Sequence, residues 1–447
     1  MKKIISFILA LLMLLLVSCS GKSNTEQQTI GWGQDSDEID PLMGVSDQDY
    51  RQEQSRLLLE LLSASEAKGM ELSEEFSKAI TKSAFDHFGQ AIGDKKEDNV
   101  LISPLSIYIA LAMTACGAGG ETLSQMENVL GGLKIADAAK YLKVLSDEIT
   151  ENEKITLGLA NSIWIRDNKS MIEVNESFLD IAKEYFSADI FKEKFDNKTL
   201  KDINAWIENK TNGMIREMLD KIDDTTVMYL INALVFEADW DEIYETSQLR
   251  ESDFTSYSGK KTRTELMYST EDYYLADEKA TGFIKPYADS RYGFVALLPS
   301  SDMDIYEYAS SLTGESFAAL LKNREKANVN AAMPQFSYEY SDSLVEELKA
   351  LGMTDAFSET FANLSGIGRS SWGNIYISDV LHKTFIEVSP KGTKAGAATV
   401  VIADCESAMI EVNVKTYDVI LDRPFIYAIT DLESGIPLFI GVLAELE

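Results

Sequence analysis

The chain has 447 residues, enough for one large domain or two, and a formal net charge of −32, from 41 basic and 73 acidic residues. A nucleic-acid-binding protein needs a basic surface, so this composition argues against that class and favours a soluble, exported protein. Its two histidines and three cysteines argue against a histidine-rich zinc site, a hydrolase using several histidines and a disulfide framework, and no cofactor or metal is predicted.

Residues 1–18 have the pattern of an export signal. Lys2 and Lys3 precede one apolar run, Ile4–Leu16, which is too short to span a membrane comfortably. The run ends in Leu-Val-Ser-Cys, which resembles the lipobox of bacterial lipoproteins and implies lipidation of Cys19. The alternative is an ordinary secretory signal with an incidental cysteine. We therefore expect an exported protein, anchored by lipid to a bacterial cell membrane and facing outside the cytoplasm.

A tether and one folded domain are predicted after the signal. Residues 19–72 are polar and acidic, which is typical of a spacer, although a leucine-rich helix within 46–67 could belong to the next domain. The folded domain is predicted over 73–447. Its first helix is indicated by large and small apolar residues at every fourth position, namely Phe76, Ile80, Ala84 and Phe88.

A second, central helix is predicted after Ser103. Ser103 is a suitable N-cap, and Pro104 suits the first helical position. The helix is apolar on nearly all sides as far as Cys116, so we expect it to be buried and Cys116 to be an inert core thiol. His87 lies beside the stripe of the first helix, where a structural role is expected.

Helices are predicted mostly in the first half and strands in the second, so the fold class is α+β rather than a βαβ repeat. The C-terminal runs Val419–Asp431 and Pro437–Leu443 are predicted to form a buried hairpin. The other strands are predicted at Ile155–Ile165, Val227–Trp240, Tyr292–Leu298, Val329–Phe336 and Asn374–Val380, with helices at Glu173–Tyr185 and Lys201–Leu219.

An unusual stretch lies between His382 and Ser407. A predicted strand over 384–388 is interrupted by Pro390 and Gly392, and small residues then lead to Val400, Val401 and Ile402. No proline follows Pro390 within this stretch, so the segment could be a loop in one state and a sheet strand in another. With a period of two, its uncharged face carries Thr393, Ala395, Ala397, Thr399, Val401 and Ala403. The alternative is a flexible Ala/Gly linker.

Seven short motifs resemble the serpin family, in the family's order, from about residue 73 to 447. Each alone is weak, but their order together with the small-residue stretch is specific. Glu237 departs from the lysine that is usual in the fourth of them. The motifs are NVLISPLSI (99–107), CGAGGET (116–122), TNGMI (211–215), NALVFEADW (232–240), MPQF (333–336), ANLSGI (362–367) and LDRPFI (421–426).

The resemblance implies a three-sheet fold with about nine helices and an exposed reactive loop. It also implies an inhibitor rather than an enzyme. A serine protease, or a cysteine protease, attacks the loop and forms an acyl-enzyme, and the cut loop inserts into a sheet and traps the protease. We expect a monomer, a protease partner and no nucleic acid.

Site residues follow from the resemblance by position. The hinge of the loop is Gly392, Thr393, Lys394, Ala395, Gly396, Ala397, Ala398 and Thr399. The sheet-opening region is Ser103, Ser106, Asn232 and His382, and Trp240 lies at the top of the sheet where the loop first inserts. Pro390 and Lys391 stand where the family usually has acidic residues, and we expect a changed rate of insertion rather than its loss.

Counting from the hinge predicts the scissile bond at Glu406–Ser407, which would suit a glutamate-specific protease. The segment 408–422 is longer than the family norm, so Asp404 or Cys405 could instead precede the bond. A non-inhibitory carrier or scaffold at the cell surface is the alternative function, motivated by Pro390 and Lys394. A solute-binding lipoprotein or surface enzyme is a third hypothesis, motivated only by the lipobox and the abundant carboxylates.

Overall fold

The structure is a computed structural model that describes residues 72–93, 98–150, 155–393 and 415–446. Within these ranges it has nine α-helices and three sheets, so the α+β prediction is confirmed. The helices are α1 Glu74–Ile92, α2 Pro104–Ala115, α3 Gly120–Val129, α4 Ile135–Thr150, α5 Glu176–Phe186, α6 Asn197–Lys210, α7 Ile305–Ser311, α8 Gly314–Lys322 and α9 Val345–Ala350.

The strands are more numerous in the second half of the described chain, as predicted. The first nine are β1 Val100–Ile102, β2 Ile155–Arg166, β3 Glu173–Val174, β4 Asp189–Glu193, β5 Met228–Asp239, β6 Leu249–Thr255, β7 Lys261–Ala276, β8 Ala280–Pro286 and β9 Tyr292–Pro299. The others are β10 Glu325–Pro334, β11 Phe336–Ser343, β12 Gly368–Arg369, β13 Leu381–Val388, β14 Gly392–Thr393, β15 Thr416–Ile420, β16 Phe425–Asp431 and β17 Pro437–Leu443.

A nine-stranded sheet has the order β1-β17-β16-β9-β8-β7-β10-β15, with β6 added on β7. The C-terminal hairpin of β16 and β17 lies between β1 and β9 in this sheet, and its residues are all buried, which confirms that prediction. A six-stranded sheet has the order β11-β13-β14-β5-β2-β4, and β3 and β12 form a small ribbon.

The central helices pack as the sequence predicts. Ser73 caps α1 by accepting a hydrogen bond from the Phe76 amide at 3.0 Å, and the stripe from Phe76 to Phe88 is buried. Ser103 is the N-cap of α2, Pro104 is its first residue, and eleven of its twelve residues are buried. Cys116 is fully buried, and burial raises the pKa of its thiol to about 12, as expected of an inert core thiol.

Three predicted elements differ from the structure. The helix predicted to reach Leu219 ends at Lys210, because Asn212 and Gly213 have positive φ angles of 50° and 76° that a helix cannot accommodate. The strand predicted over 329–336 is divided between β10 and β11. The strand predicted over 374–380 is wrong: the segment is irregular, and its Ile377 amide donates to the carbonyl of Ala356 rather than to a strand.

Candidate functional site

The six-stranded sheet contains a slot between β5 and β13. Strand β5 pairs with β2 along nearly its whole length, and β13 pairs with β11 along its whole length. On their facing edges, both strands pair with the two-residue strand β14 at one end only. The rest of these edges pairs with no strand among the described residues, so the slot is open along most of its length.

A tight turn carries the chain from β13 into the slot. Gly392 donates its amide to the carbonyl of Ser389 at 3.2 Å, which places Pro390 at the second position of the turn, where its fixed φ angle is favourable. The amides of Trp240 and Tyr244 bond to the carbonyls of Lys391 and Pro390, each at 2.9 Å. These backbone hydrogen bonds join the turn to the end of β5. The turn supplies only carbonyl acceptors, so the bonds do not require the N–H group that Pro390 lacks.

The close approach of two backbone segments requires glycine at position 392. A Cβ atom at this position would lie 2.1 Å from the carbonyl oxygen of Ala238, a backbone atom that cannot move aside easily. The backbone of β14 consequently lies directly against β5, with Gly392 opposite Asp239 and Thr393 opposite Ala238.

Thr393, the next residue, is buried in an aromatic pocket. Its hydroxyl is 2.6 Å from the Tyr287 hydroxyl. The Tyr287 ring stacks on Trp240 with centroids 4.6 Å apart, and the Trp240 indole N–H donates to the carbonyl of Ser389 at 2.9 Å. Trp240 thus bonds to Ser389 through its indole and to Lys391 through its amide, beside β14 at one end of the slot.

A buried ion pair supports this pocket. The Lys285 Nζ donates to Glu271 Oε1 at 3.0 Å, and both side chains are almost fully buried. The ammonium also lies 4.4 Å from the centre of the Tyr244 ring, a favourable cation–π distance. Burial raises the pKa of Glu271, and the charge of Lys285 opposes that shift.

The other predicted polar residues lie further along the slot, in two hydrogen-bonded pairs. The Ser103 amide donates to Nε2 of His382 at 3.1 Å. The Ser106 hydroxyl donates to Oδ1 of Asn232, whose amide group donates to Asn161 at 2.7 Å. Burial lowers the pKa of His382 to about 3, because a charged imidazole would lose its hydration there.

A cavity of about 420 Å³ occupies this part of the slot. It is bounded by α2, by the first residues of β5, and by the segment that leads into β13. Its polar lining includes Ser106, Asn232 and His382, and most of its other lining side chains are apolar.

Comparison with known proteins identifies the family. The sequence profile described as Serpin (serine protease inhibitor) matches residues 78–446, most of the chain. The chain belongs to the serpin family. An uncharacterized serpin-like protein of Thermococcus kodakarensis is 32% identical over 371 residues, covering 81% of this chain and 84% of the relative. Neuroserpin of Mus musculus is 28% identical over 380 residues, covering 81% and 90%.

Solved serpin structures confirm the fold. The thermophilic serpin tengpin in its native state superposes with a TM-score of 0.78 at 46% identity, covering 84% of this chain and 96% of tengpin. The latent state of tengpin gives a TM-score of 0.75 at 41% identity, covering 85% and 100%. Serpins are mostly protease inhibitors rather than enzymes, and a leukocyte elastase inhibitor of Xenopus laevis is among the relatives, 29% identical over 383 residues.

Several predicted serpin site residues lie outside the described residues. They are the hinge residues Lys394–Thr399, the bond Glu406–Ser407 with its alternatives Asp404 and Cys405, and the lipidation residue Cys19. Among the described residues, no helix is long and apolar enough to cross a membrane, and no group of three or more potential metal ligands occurs.

Sequence reasoning missed several residues that build the top of the serpin slot. Tyr287, Tyr244 and Glu271 carry no local signal, because each acts through a partner distant in sequence. Lys285 does carry one: it is the single charged residue of strand β8, and a buried lysine requires a partner.

Proposed function

We propose that this serpin inhibits serine proteases as a suicide substrate, with the cut loop inserting into the slot between β5 and β13. The observation that carries the proposal is β14. Its two residues already pair with Ala238 and Asp239 on one side, and Thr393 pairs with Val388 on the other. The reactive loop therefore begins its course inside the slot, in antiparallel register with both strands.

Extension of that register supports insertion of the predicted hinge. Each further loop residue would pair with one residue earlier on β5, so Ala395 would lie opposite Phe236 and Ala397 opposite Leu234. Thr399 would reach the row formed by Asn232 and His382. The inward-facing side chains in these rows of β5 and β13 are all buried, so the small uncharged face of the hinge matches the space.

The proposed chemistry is acyl transfer followed by arrest. The protease serine hydroxyl attacks the carbonyl carbon of Glu406, the C–N bond to Ser407 breaks, and the new amine of Ser407 receives the serine proton. This leaves an ester between the protease and Glu406, which water would normally hydrolyse. Insertion adds ladder hydrogen bonds worth about 0.5–1.5 kcal/mol each, which favours the trapped state.

The predicted lipid anchor at Cys19 completes the proposal. It would hold the inhibitor at the outer face of a bacterial membrane through the acidic segment 20–72. A glutamate before the scissile bond would suit a protease with a basic primary pocket. The target would then be an extracellular serine protease that cleaves after glutamate.

The test is incubation with a glutamate-specific serine protease, followed by denaturing electrophoresis. We expect a covalent complex that resists SDS, and a higher melting temperature for the loop-cleaved protein. Thr393→Arg is the hinge control, because a charged side chain cannot enter the pocket of Tyr287; this variant should be cleaved without trapping the protease.

The alternative is a non-inhibitory carrier or scaffold with the same fold. It would show a cleaved loop, fully active protease and an unchanged melting temperature. That outcome would overturn the proposed inhibition. Pro390 and Lys391 lie in the turn before β14 and accept hydrogen bonds from Tyr244 and Trp240. Because neither residue obstructs β14, their position favours the inhibitory proposal.

A further inference from the structure

The cavity in the slot between β5 and β13 has the size and lining of a small-molecule site. Its volume of about 420 Å³ lies within the range of about 300–1,000 Å³ that is typical of ligand pockets. Trp372 and Leu381 line it and are 64% and 42% exposed, so solvent reaches the cavity from the protein surface. Leu111, Leu364 and Ile367 are buried and supply apolar surface to the same cavity, which favours an apolar ligand.

Three polar side chains that line this cavity are more than nine-tenths buried. Ser106, Asn232 and His382 have 8%, 8% and 5% of their surface exposed. Buried polar groups require hydrogen-bond partners. The bonds that these side chains leave unmade therefore indicate which ligand group the cavity can accept.

His382 contributes a hydrogen-bond donor. Its Nε2 accepts from the Ser103 amide, so the single proton of the neutral imidazole is on Nδ1. Among the described residues, no acceptor is bonded to that Nδ1–H group. The bond to Ser103 thus makes the ring a donor toward any group that lies beside Nδ1.

Asn232 contributes a second donor. Its Oδ1 accepts from the Ser106 hydroxyl, and one N–H of its amide group donates to Oδ1 of Asn161 at 2.7 Å. Asn161 donates in turn to the carbonyl of Phe186 at 2.6 Å, which fixes the orientation of both amide groups. The other N–H of Asn232 has no acceptor in the described part of the chain. The polar end of the cavity therefore offers donors and requires an acceptor.

The charges around the cavity disfavour a charged ligand. Lys383 lines it, but its Nζ donates to the carbonyl of Glu217 at 3.0 Å and pairs with the Glu339 carboxylate at 3.4 Å. Glu359 and Asp379 also line the cavity, and the chain has a net charge of −32, which opposes an anion. A cation would meet N–H donors at the polar end. The acceptor group must therefore be uncharged.

We propose that this cavity binds a small, uncharged and mainly apolar molecule that carries one carbonyl oxygen, as in an amide, an ester or a ketone. Its apolar body would lie against the leucine and isoleucine side chains, and its carbonyl would accept from His382 or Asn232. The site does not depend on the proposed function. If that function also holds, ligand and loop compete, because Thr399 of an inserted loop would lie in the row of Asn232 and His382.

The test titrates the intact protein with prodan, an uncharged naphthalene ketone whose fluorescence shifts to the blue in apolar surroundings. We expect saturable binding of one molecule per chain. The analogue with a methylene group in place of the carbonyl should displace prodan about three- to tenfold more weakly, because it cannot accept the hydrogen bond. Binding that does not saturate, or an analogue that binds equally well, would overturn the proposal.

Ala110→Leu tests where the probe binds. Ala110 lines the cavity from α2, and the larger side chain would occupy part of its volume, so the affinity for prodan should fall about tenfold. Ala319→Leu makes the same change at an exposed position of α8 and should bind prodan as wild type does.

Hydrogen exchange of wild type gives a second measurement that needs no variant. Saturating prodan should slow exchange in peptides covering 225–232 and 374–383, which border the cavity. Unchanged affinity in Ala110→Leu, or protection confined to other peptides, would place the probe on another surface and overturn the proposal.

Loop-cleaved protein separates this inference from the proposed function. Loss of prodan binding after cleavage would support both, since the inserted loop would occupy the cavity. Binding that survives cleavage would support the ligand site and contradict insertion of the loop into the slot.

Discussion

The imidazole of His382 is buried with its Nε2 accepting a hydrogen bond from the Ser103 amide, so it must stay neutral in the folded chain. Burial lowers its pKa from 6.5 to about 3, and burial lowers that of His87 to about 4. Both histidines bind a proton in the unfolded chain below pH 6.5 but not in the folded chain. The stability that they contribute is complete above that pH and is lost as the pH falls.

We therefore expect the free energy of unfolding to decrease between pH 6.5 and 5 by about 1.4 kcal/mol per pH unit for each histidine once the unfolded imidazole is fully protonated. His382→Gln should remove the contribution of one histidine from this pH dependence. Urea unfolding at pH 7.5, 6.5 and 5 would measure the difference. His87→Gln is the matched control for the second proton. An identical slope in wild type and His382→Gln would contradict the assignment.

The hydroxyl contact between Tyr287 and Thr393 is the first side-chain bond of the loop inside the slot. Removing either hydroxyl, by Tyr287→Phe or Thr393→Val, should lower the free energy of unfolding by about 0.5–1.5 kcal/mol. The two changes should be non-additive, because each leaves the other group without its partner. A double-mutant cycle followed by urea unfolding measures the coupling.

Tyr108→Phe provides the control for this cycle. The Tyr108 hydroxyl is buried and has no hydrogen-bond partner among the described residues, so its removal should cost little or stabilise the protein. Equal losses at Tyr108 and Tyr287 would mean that the contact with Thr393 contributes nothing specific.

At the scale of elements, the paired strands β7 and β8 carry the buried ion pair of Glu271 and Lys285, whose ammonium lies 5.6 Å from the centre of the Trp240 ring. Lys285→Met alone should destabilise the protein by about 3–5 kcal/mol, because it leaves a buried carboxylate without its cation. Combining it with Glu271→Leu should restore most of that loss. Urea unfolding of the three variants tests this, and a double variant as unstable as Lys285→Met would refute it.

Sequence patterns predict an element correctly where the interactions that form it join residues close in sequence. The four-residue stripe of α1, the Ser103-Pro104 start of α2 and the alternation of β13 depend on neighbours in sequence, and the structure has them. The segment 374–380 has strand-forming residues, yet its bonds go to 356–360 and to 343–344, and no local pattern indicates those partners. The same holds for the site: the Tyr287 pocket and the ion pair of Lys285 and Glu271 join residues that are distant in sequence, and no local pattern indicates them.

At the scale of the whole molecule, the net charge of −32 means that acidic groups repel one another across the surface. Raising NaCl from about 10 to 300 mM should therefore increase the melting temperature by on the order of a few °C, because salt screens that repulsion. Exposed ion pairs such as Lys78–Glu74 weaken under the same conditions, but such pairs contribute little. Calorimetry at several salt concentrations measures the balance, and a falling melting temperature would contradict it.

The two strands that flank residues 394–414 belong to different sheets: β14 lies in the six-stranded sheet, and β15 pairs in parallel with β10 at the edge of the nine-stranded one. An uncut chain could fill the slot completely only by detaching β15, whose Tyr417 stacks on Tyr274 with centroids 3.8 Å apart. Under the proposed inhibitory mechanism, the shelf life of the intact protein would thus be governed at a site remote from the slot. Loosening the Tyr417–Tyr274 stack would then let the uncut protein lose its proposed activity without meeting any protease.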